Sequence, residues 1–297
     1  MKATKSAAYS AALVVSIAYA IWYIGAGALL NMDRSVSSLF LLFVIEGISA
    51  LFVFISARGR VGVGKVSYLK YPILSGLCFL VANYLLFSVI VYSGVPAASS
   101  FASAEIVIFT ALLWFEESKG RRKLVDYALG AFLVSIGLVA ESLAVQHGAY
   151  SLNFNTIGLG VGVALFAGLA TYFYYLSVKT LESKQVTIFY IQGIQSVLFL
   201  LLLTITGGAY PPLSIGIVYW VLLVIVGAGL FVAFYSETVM MKLLVRFSRG
   251  VVATGYVLSD LELLPVLVYF LIVNPAEWLS FAPGLVIITV GMVMLEW

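Results

Sequence analysis

Apolar residues run through this chain in long stretches, parted by short polar or glycine-rich connections. Neither strict alternation nor a single apolar stripe dominates, which fits helices that are apolar on every side. A helix crossing a bilayer needs about 20 mostly apolar residues. On that measure the pattern predicts ten spans, over residues 7–30, 37–56, 71–92, 97–114, 124–143, 156–178, 186–206, 217–241, 250–273 and 279–296. The spans fill the sequence and leave no room for a soluble domain. The first exceeds the apolar region of a signal peptide and no small-residue cleavage site follows, so it is expected to stay as a helix.

Composition agrees: 63% of residues are hydrophobic and 10% charged, against about 45–50% and about 25% in average soluble domains. The cations add orientation. Lys2 and Lys5 precede the first span, and Arg58, Arg60, Lys65 and Lys70 follow the second. Lys119, Arg121, Arg122 and Lys123 follow the fourth, Lys179 and Lys184 the sixth, and Lys242, Arg246 and Arg249 the eighth. Of 16 Lys and Arg residues only Arg34, beside Asp33, falls in an alternate connection. The positive-inside rule then puts both termini in the cytoplasm, in a multi-pass protein of the cell (plasma or inner) membrane. The net charge of +3 reflects that bias and does not point to nucleic acid. Cys78 is alone, so no disulfide forms within the chain.

The halves resemble each other. A shift of 146 lays Phe43, Ile45, Gly47 and Ile48 on Phe189, Ile191, Gly193 and Ile194. A shift of 151 lays Gly76, Ala82 and Tyr84 on Gly227, Ala233 and Tyr235. A shift of 154 lays Gly130 and Gly137 on Gly284 and Gly291. Five spans is an odd number, so a second copy enters from the opposite side. The expected fold class is therefore an all-α integral membrane protein of ten transmembrane helices in two inverted five-helix repeats, residues 1–150 and 151–297. Such repeats characterise alternating-access transporters, with the substrate site near the midplane.

The segment YSGVPAASSFASAEIVIFTALLWFEE, with Glu117, Gly130 and Gly137 after it, resembles the EamA-type branch of the drug/metabolite transporter superfamily. Pro265, Glu277, Gly284 and Gly291 match the pattern again in the second half. A proline usual in the fourth helix is absent, with Glu105 standing twelve residues before Glu117 as Pro265 does before Glu277. The resemblance implies a 5+5 helix transporter and favours export. It implies no particular substrate.

Candidate chemistry lies in carboxylates at membrane depth: Glu46 in the second span, Glu105 in the fourth, and Asp260 and Glu262 in the ninth. Each costs about 2.5–3.5 kcal/mol at a helix centre, so they are expected to face a wet cavity, find partners or hold protons. No Lys or Arg shares their depth. Glu237 and Lys242 read as neighbours toward the cytoplasmic end of the eighth span. Glu46, Glu105 and Asp260 are the candidates for proton coupling or for receiving a substrate's amine. Trp22, Asn83, Tyr84, Gln192 and Tyr256 are expected to line the same cavity, with Gln192 opposite Glu46 in the repeat. Glu117 and Glu277 read as span-end residues, and His147 as a solvated loop residue.

No metal-site spacing, phosphate-binding loop or Ser/His/Asp set occurs, so neither an enzyme nor a cofactor or metal is expected. The expectation is a secondary transporter of small polar metabolites, amino acids or amine-bearing compounds first, exporting by alternating access with proton exchange as one coupling. Its partners are a small-molecule metabolite, the lipid bilayer and protons; a homodimer stays open. Uptake or facilitation of a cationic nutrient, and export of multidrug cations, are alternatives. A membrane enzyme or lipid-handling protein is the reading from another class.

Overall fold

In a computed structural model of the chain, the structure describes residues 5–33, 35–63, 65–117, 129–134, 136–137, 154–181, 183–210, 216–244, 255, 258–259, 263–273 and 278–294. Among them there are helices and turns and no strand. The helices are α1 (Lys5–Met32), α2 (Ser38–Ser56), α3 (Lys70–Ser103), α4 (Glu105–Glu117), α5 (Phe154–Thr180), α6 (Lys184–Thr206), α7 (Ile217–Leu244), α8 (Leu263–Val273) and α9 (Trp278–Met294). Residues 129–134 and 136–137 are also helical.

Six helical stretches among the described residues are long and apolar enough to cross a bilayer. One of them, Val66–Leu113, has 48 residues. At about 1.5 Å per residue this far exceeds the roughly 30 Å of a hydrocarbon core, and it holds two of the predicted spans. The expected loop at YSGVP is instead a break within α3: Gly94 has φ 82° and ψ 171°, and Pro96 follows. Proline cannot supply the amide that a continuing helix needs there, and glycine alone accepts that φ without strain. The fifth, ninth and tenth predicted spans lie partly outside the described residues.

Helix ends follow local chemistry. Ser37 caps α2, its hydroxyl accepting from the Leu39 amide at 3.2 Å. Ser183 caps α6 in the same manner, and Gly207 closes it in the left-handed conformation. These devices satisfy amides and carbonyls that a helix end otherwise strands.

The sidedness is that of a membrane-embedded protein. On α1, Leu13, Val14, Ile17 and Ile21 are exposed, as are Leu201 and Ile205 on α6 and Val221, Val224 and Ile225 on α7. Glu46, Ser49, Gln192 and Gln195 are fully buried. Apolar surface outward with polar groups inward suits lipid and would be costly in water, at about 25 cal/mol per Å² exposed.

The most extensive contacts pair α1 with α7, α2 with α6 and α3 with α5; α2 also packs on α7, and α3 on α6. Glycines allow the closest approaches. A methyl added to Gly76 would lie 3.0 Å from the Ile191 carbonyl oxygen, and one added to Gly227 would lie 3.2 Å from that of Ile45. A methyl on Gly137 would meet the Gly284 carbonyl at 2.8 Å, and one on Gly291 the Gly130 carbonyl at 2.8 Å. The sequence shifts that relate the halves carry each member of these pairs onto the other.

Candidate functional site

A cavity of about 50 Å³ lies among α1, α3, α4, α5 and α7. α1 contributes Tyr19, Trp22 and Tyr23, one helical turn of aromatic wall; Phe79 and Asn83 come from α3, and Phe234 from α7. Two carboxylates complete it, Glu105 and Glu237. At about 10–15 Å³ of such volume per water, the space holds only a few water-sized groups in this conformation. Among the described residues that line it there is no Lys, Arg or His.

Glu105 reaches the cavity because α3 ends at Ser103, Ala104 forms a turn, and Glu105 starts α4. Gly168 on α5 lets the two helices come close, since a methyl there would meet the Glu105 carbonyl oxygen at 2.7 Å. One turn further, the Thr171 hydroxyl donates to Glu105 Oε1 at 2.9 Å. Across the cavity the Tyr19 hydroxyl donates to Glu237 Oε2 at 2.8 Å. Glu237 is 5% exposed. The sequence reading had set it aside as a helix-end neighbour of Lys242; it is instead a second acid of the central cavity.

The other predicted residues divide. Trp22 and Asn83 line the cavity as expected. Glu46 does not: it is fully buried beside the cavity and reached through Asn83, whose Nδ2 donates to Glu46 Oε1 at 3.0 Å and to Gln195 Oε1 at 2.9 Å. Gln192 is not in the lining either; it is buried a turn from Gln195, the amide that engages the network. Tyr84 is 47% exposed because it follows Asn83 by one residue, about 100° around the helix. Asp260 and Tyr256 lie outside the described residues, as do Glu262, Glu277 and His147. Ser259 supplies the wall from that part of the chain.

Several buried polar atoms have no hydrogen-bond partner among the described residues: Trp22 Nε1, Glu46 Oε2, Ser49 Oγ and both side-chain atoms of Gln192. Buried polar groups are nearly always paired, so these atoms are the polar exceptions among the described residues.

A second, larger cavity of about 530 Å³ opens at the end of α1 remote from the N-terminus, between the α1–α2 connection, the Gly94 break and the end of α6. Ile90 lines it and Leu86 lines the central cavity. Four residues of helix, about 6 Å, separate the two levels on α3. Near this mouth Asp33 accepts from the Ser35 amide at 2.9 Å and the Ser35 hydroxyl at 2.6 Å, which holds its carboxyl below the usual range. Arg34 lies outside the described residues.

No family model matches the chain, and no curated protein matches it. Solved structures do. One crystal structure of a protein is similar at a TM-score of 0.66 and 16% identity, over 96% of each chain. At that identity the likeness is one of fold.

Proposed function

We propose that this protein is a secondary transporter that moves a small amine-bearing metabolite across a membrane by alternating access. The observation that carries the reading is a buried cavity between helices of both halves, holding Glu105 and Glu237 with no basic residue among the described residues of its lining. A carboxylate at such depth is expensive, and function is the usual reason to keep it. The nearby larger cavity, one helical turn away on α3, supports an access route from the side opposite the N-terminus.

The architecture we propose is ten spans in two inverted five-helix repeats with both termini cytoplasmic. Reciprocal packing supports it: Gly76 on Ile191 with Gly227 on Ile45, and Gly137 on Gly284 with Gly291 on Gly130. The resemblance to EamA-type drug/metabolite transporters favours export from the cytoplasm across a plasma or inner membrane. Small amine-bearing compounds come first as substrates, ahead of free amino acids, whose carboxylate would meet Glu105 and Glu237, with proton exchange as the coupling; uptake of a cationic nutrient or expulsion of a drug cation is the runner-up. No catalytic group or cofactor enters this mechanism.

The test is counterflow of labelled amines in proteoliposomes. Glu105→Gln and Glu237→Gln are expected to keep the wild-type melting temperature and lose flux. Retained flux in both variants would remove the cavity acids from the mechanism.

A further inference from the structure

Trp22 is 2% exposed and lines the central cavity, and its buried indole N–H has no acceptor among the described residues. We infer that the central cavity takes the head group of a small amine that also carries a hydrogen-bond-accepting oxygen, the ammonium lying against Glu105 and Glu237 and the oxygen against the Trp22 N–H. The inference rests on the transport reading for its biological meaning, but it concerns binding and is tested as such.

The cavity's own hydrogen bonds narrow the ligand. Tyr19 spends its hydroxyl proton on Glu237, and Thr171 spends its proton on Glu105. Asn83 spends its Nδ2 on Glu46 and Gln195, so toward a ligand it is left with an acceptor. A carboxylate has about four lone-pair sites, and each cavity carboxylate receives one of these hydroxyls. What the walls ask for is thus rich in N–H donors and needs an acceptor at Trp22. A primary ammonium with an oxygen two or three bonds away supplies both.

Charge and hydrogen bonding exclude the neighbouring ligand classes. A zwitterion would bring a carboxylate into a space that already holds two acids and has no Lys, Arg or His among the described residues of its lining. A quaternary ammonium could sit against Tyr19, Trp22 and Phe234 by cation–π attraction, but it has no proton to give Glu105 or Glu237 and leaves Trp22 unpaired. An alkylamine satisfies the acids and still leaves Trp22 unpaired. A site built to hydrogen-bond a group discriminates against the analogue that lacks it, because its own polar atom then stays stranded.

Four probes with equal numbers of non-hydrogen atoms separate these cases: glycinamide, glycine, n-butylamine and tetramethylammonium. The measurement is calorimetric titration of the purified full chain in detergent near neutral pH, where the glycinamide amine is substantially protonated. Glycinamide is expected to bind at least about tenfold more tightly than each of the others. In Trp22→Phe the advantage of glycinamide over n-butylamine should vanish while n-butylamine affinity stays as in the wild type; an unchanged melting temperature shows that the fold persists. Glycine or tetramethylammonium binding as tightly as glycinamide overturns the inference. So does a glycinamide advantage that survives Trp22→Phe, or an absence of binding by all four. Selective binding without counterflow would remove the transport reading and keep this one; counterflow of glycine with equal binding of all four would do the reverse.

Discussion

Asn83 joins three helices through one amide nitrogen, so its replacement tests how the polar centre is held. Its Nδ2 serves Glu46 on α2 and Gln195 on α6 from a position on α3. Two interhelical bonds in lipid, at about 0.6 kcal/mol each, give about 1 kcal/mol as a floor. The larger cost depends on what happens to the stranded oxygens. Glu46 Oε2 already lacks a partner among the described residues, so losing Asn83 strands the other oxygen of that carboxyl and Gln195 Oε1 as well. Two stranded buried acceptors cost about 1–3 kcal/mol each, or about 2–6 kcal/mol together. Asn83 borders the cavity, so a small replacement leaves a hydrated space through which water can reach them. Asn83→Ala should therefore lose about 1–2 kcal/mol, whereas Asn83→Leu fills the space with apolar carbon and should lose about 3 kcal/mol or more. The assay is reversible unfolding in mixed micelles with both variants in parallel. A leucine variant as stable as the alanine variant would refute the reasoning, since it would mean that water reaching the two stranded oxygens makes no difference.

Other expectations follow from the same geometry. Gly94→Ala places a Cβ at φ 82° and ψ 171°, a region essentially reserved for glycine, and should cost about 1–3 kcal/mol, read as a lower midpoint in the same unfolding assay; an unchanged midpoint would show that the break does not need glycine. Gly137→Val drives side-chain carbon into the Gly284 backbone and should cost about 1–3 kcal/mol or more, with Gly291→Val behaving alike because its contact is the reciprocal one. The Asp33 carboxyl has a lowered folded pKa through its Ser35 bonds. Its contribution to loop order is present at neutral pH and fades as pH falls through that lowered value. Asp33→Asn should flatten this acid-side change, measured by limited proteolysis of the connection across the pH range.

Much of the fold was legible because lipid imposes blunt rules on sequence. Long apolar runs marked the spans and YSGVP marked the end of one, since glycine and proline keep their meaning in any solvent. What the sequence missed there was that no polar loop is needed: Gly94 and Pro96 end the span within a helical run. The site was harder. Depth along a helix can be counted, and that put Glu46 and Glu105 in the interior. Which neighbour a side chain meets depends on how helices rotate against each other, and apolar-all-round helices carry little of that information. Hence Glu105 reaches the cavity while Glu46 sits one residue behind it, shielded by Asn83. Glu237 had a usable signal. The shift of 151 lays Phe234 on Asn83, and Glu237 follows three residues later on the same helical face. Its nearness to Lys242 in sequence masked that relation.

Two-sided access to the central cavity is the claim on which the account stands. Ala82 lines the cavity and is 3% exposed, so a cysteine there, in a Cys78→Ser background, reports who can reach it. The measurement is labelling of Ala82→Cys by a charged, membrane-impermeant thiol reagent applied from each face of oriented proteoliposomes in turn. Alternating access predicts labelling from both faces, with each rate reduced by a bound amine. Labelling from one face only, or identical rates with and without substrate, would contradict it.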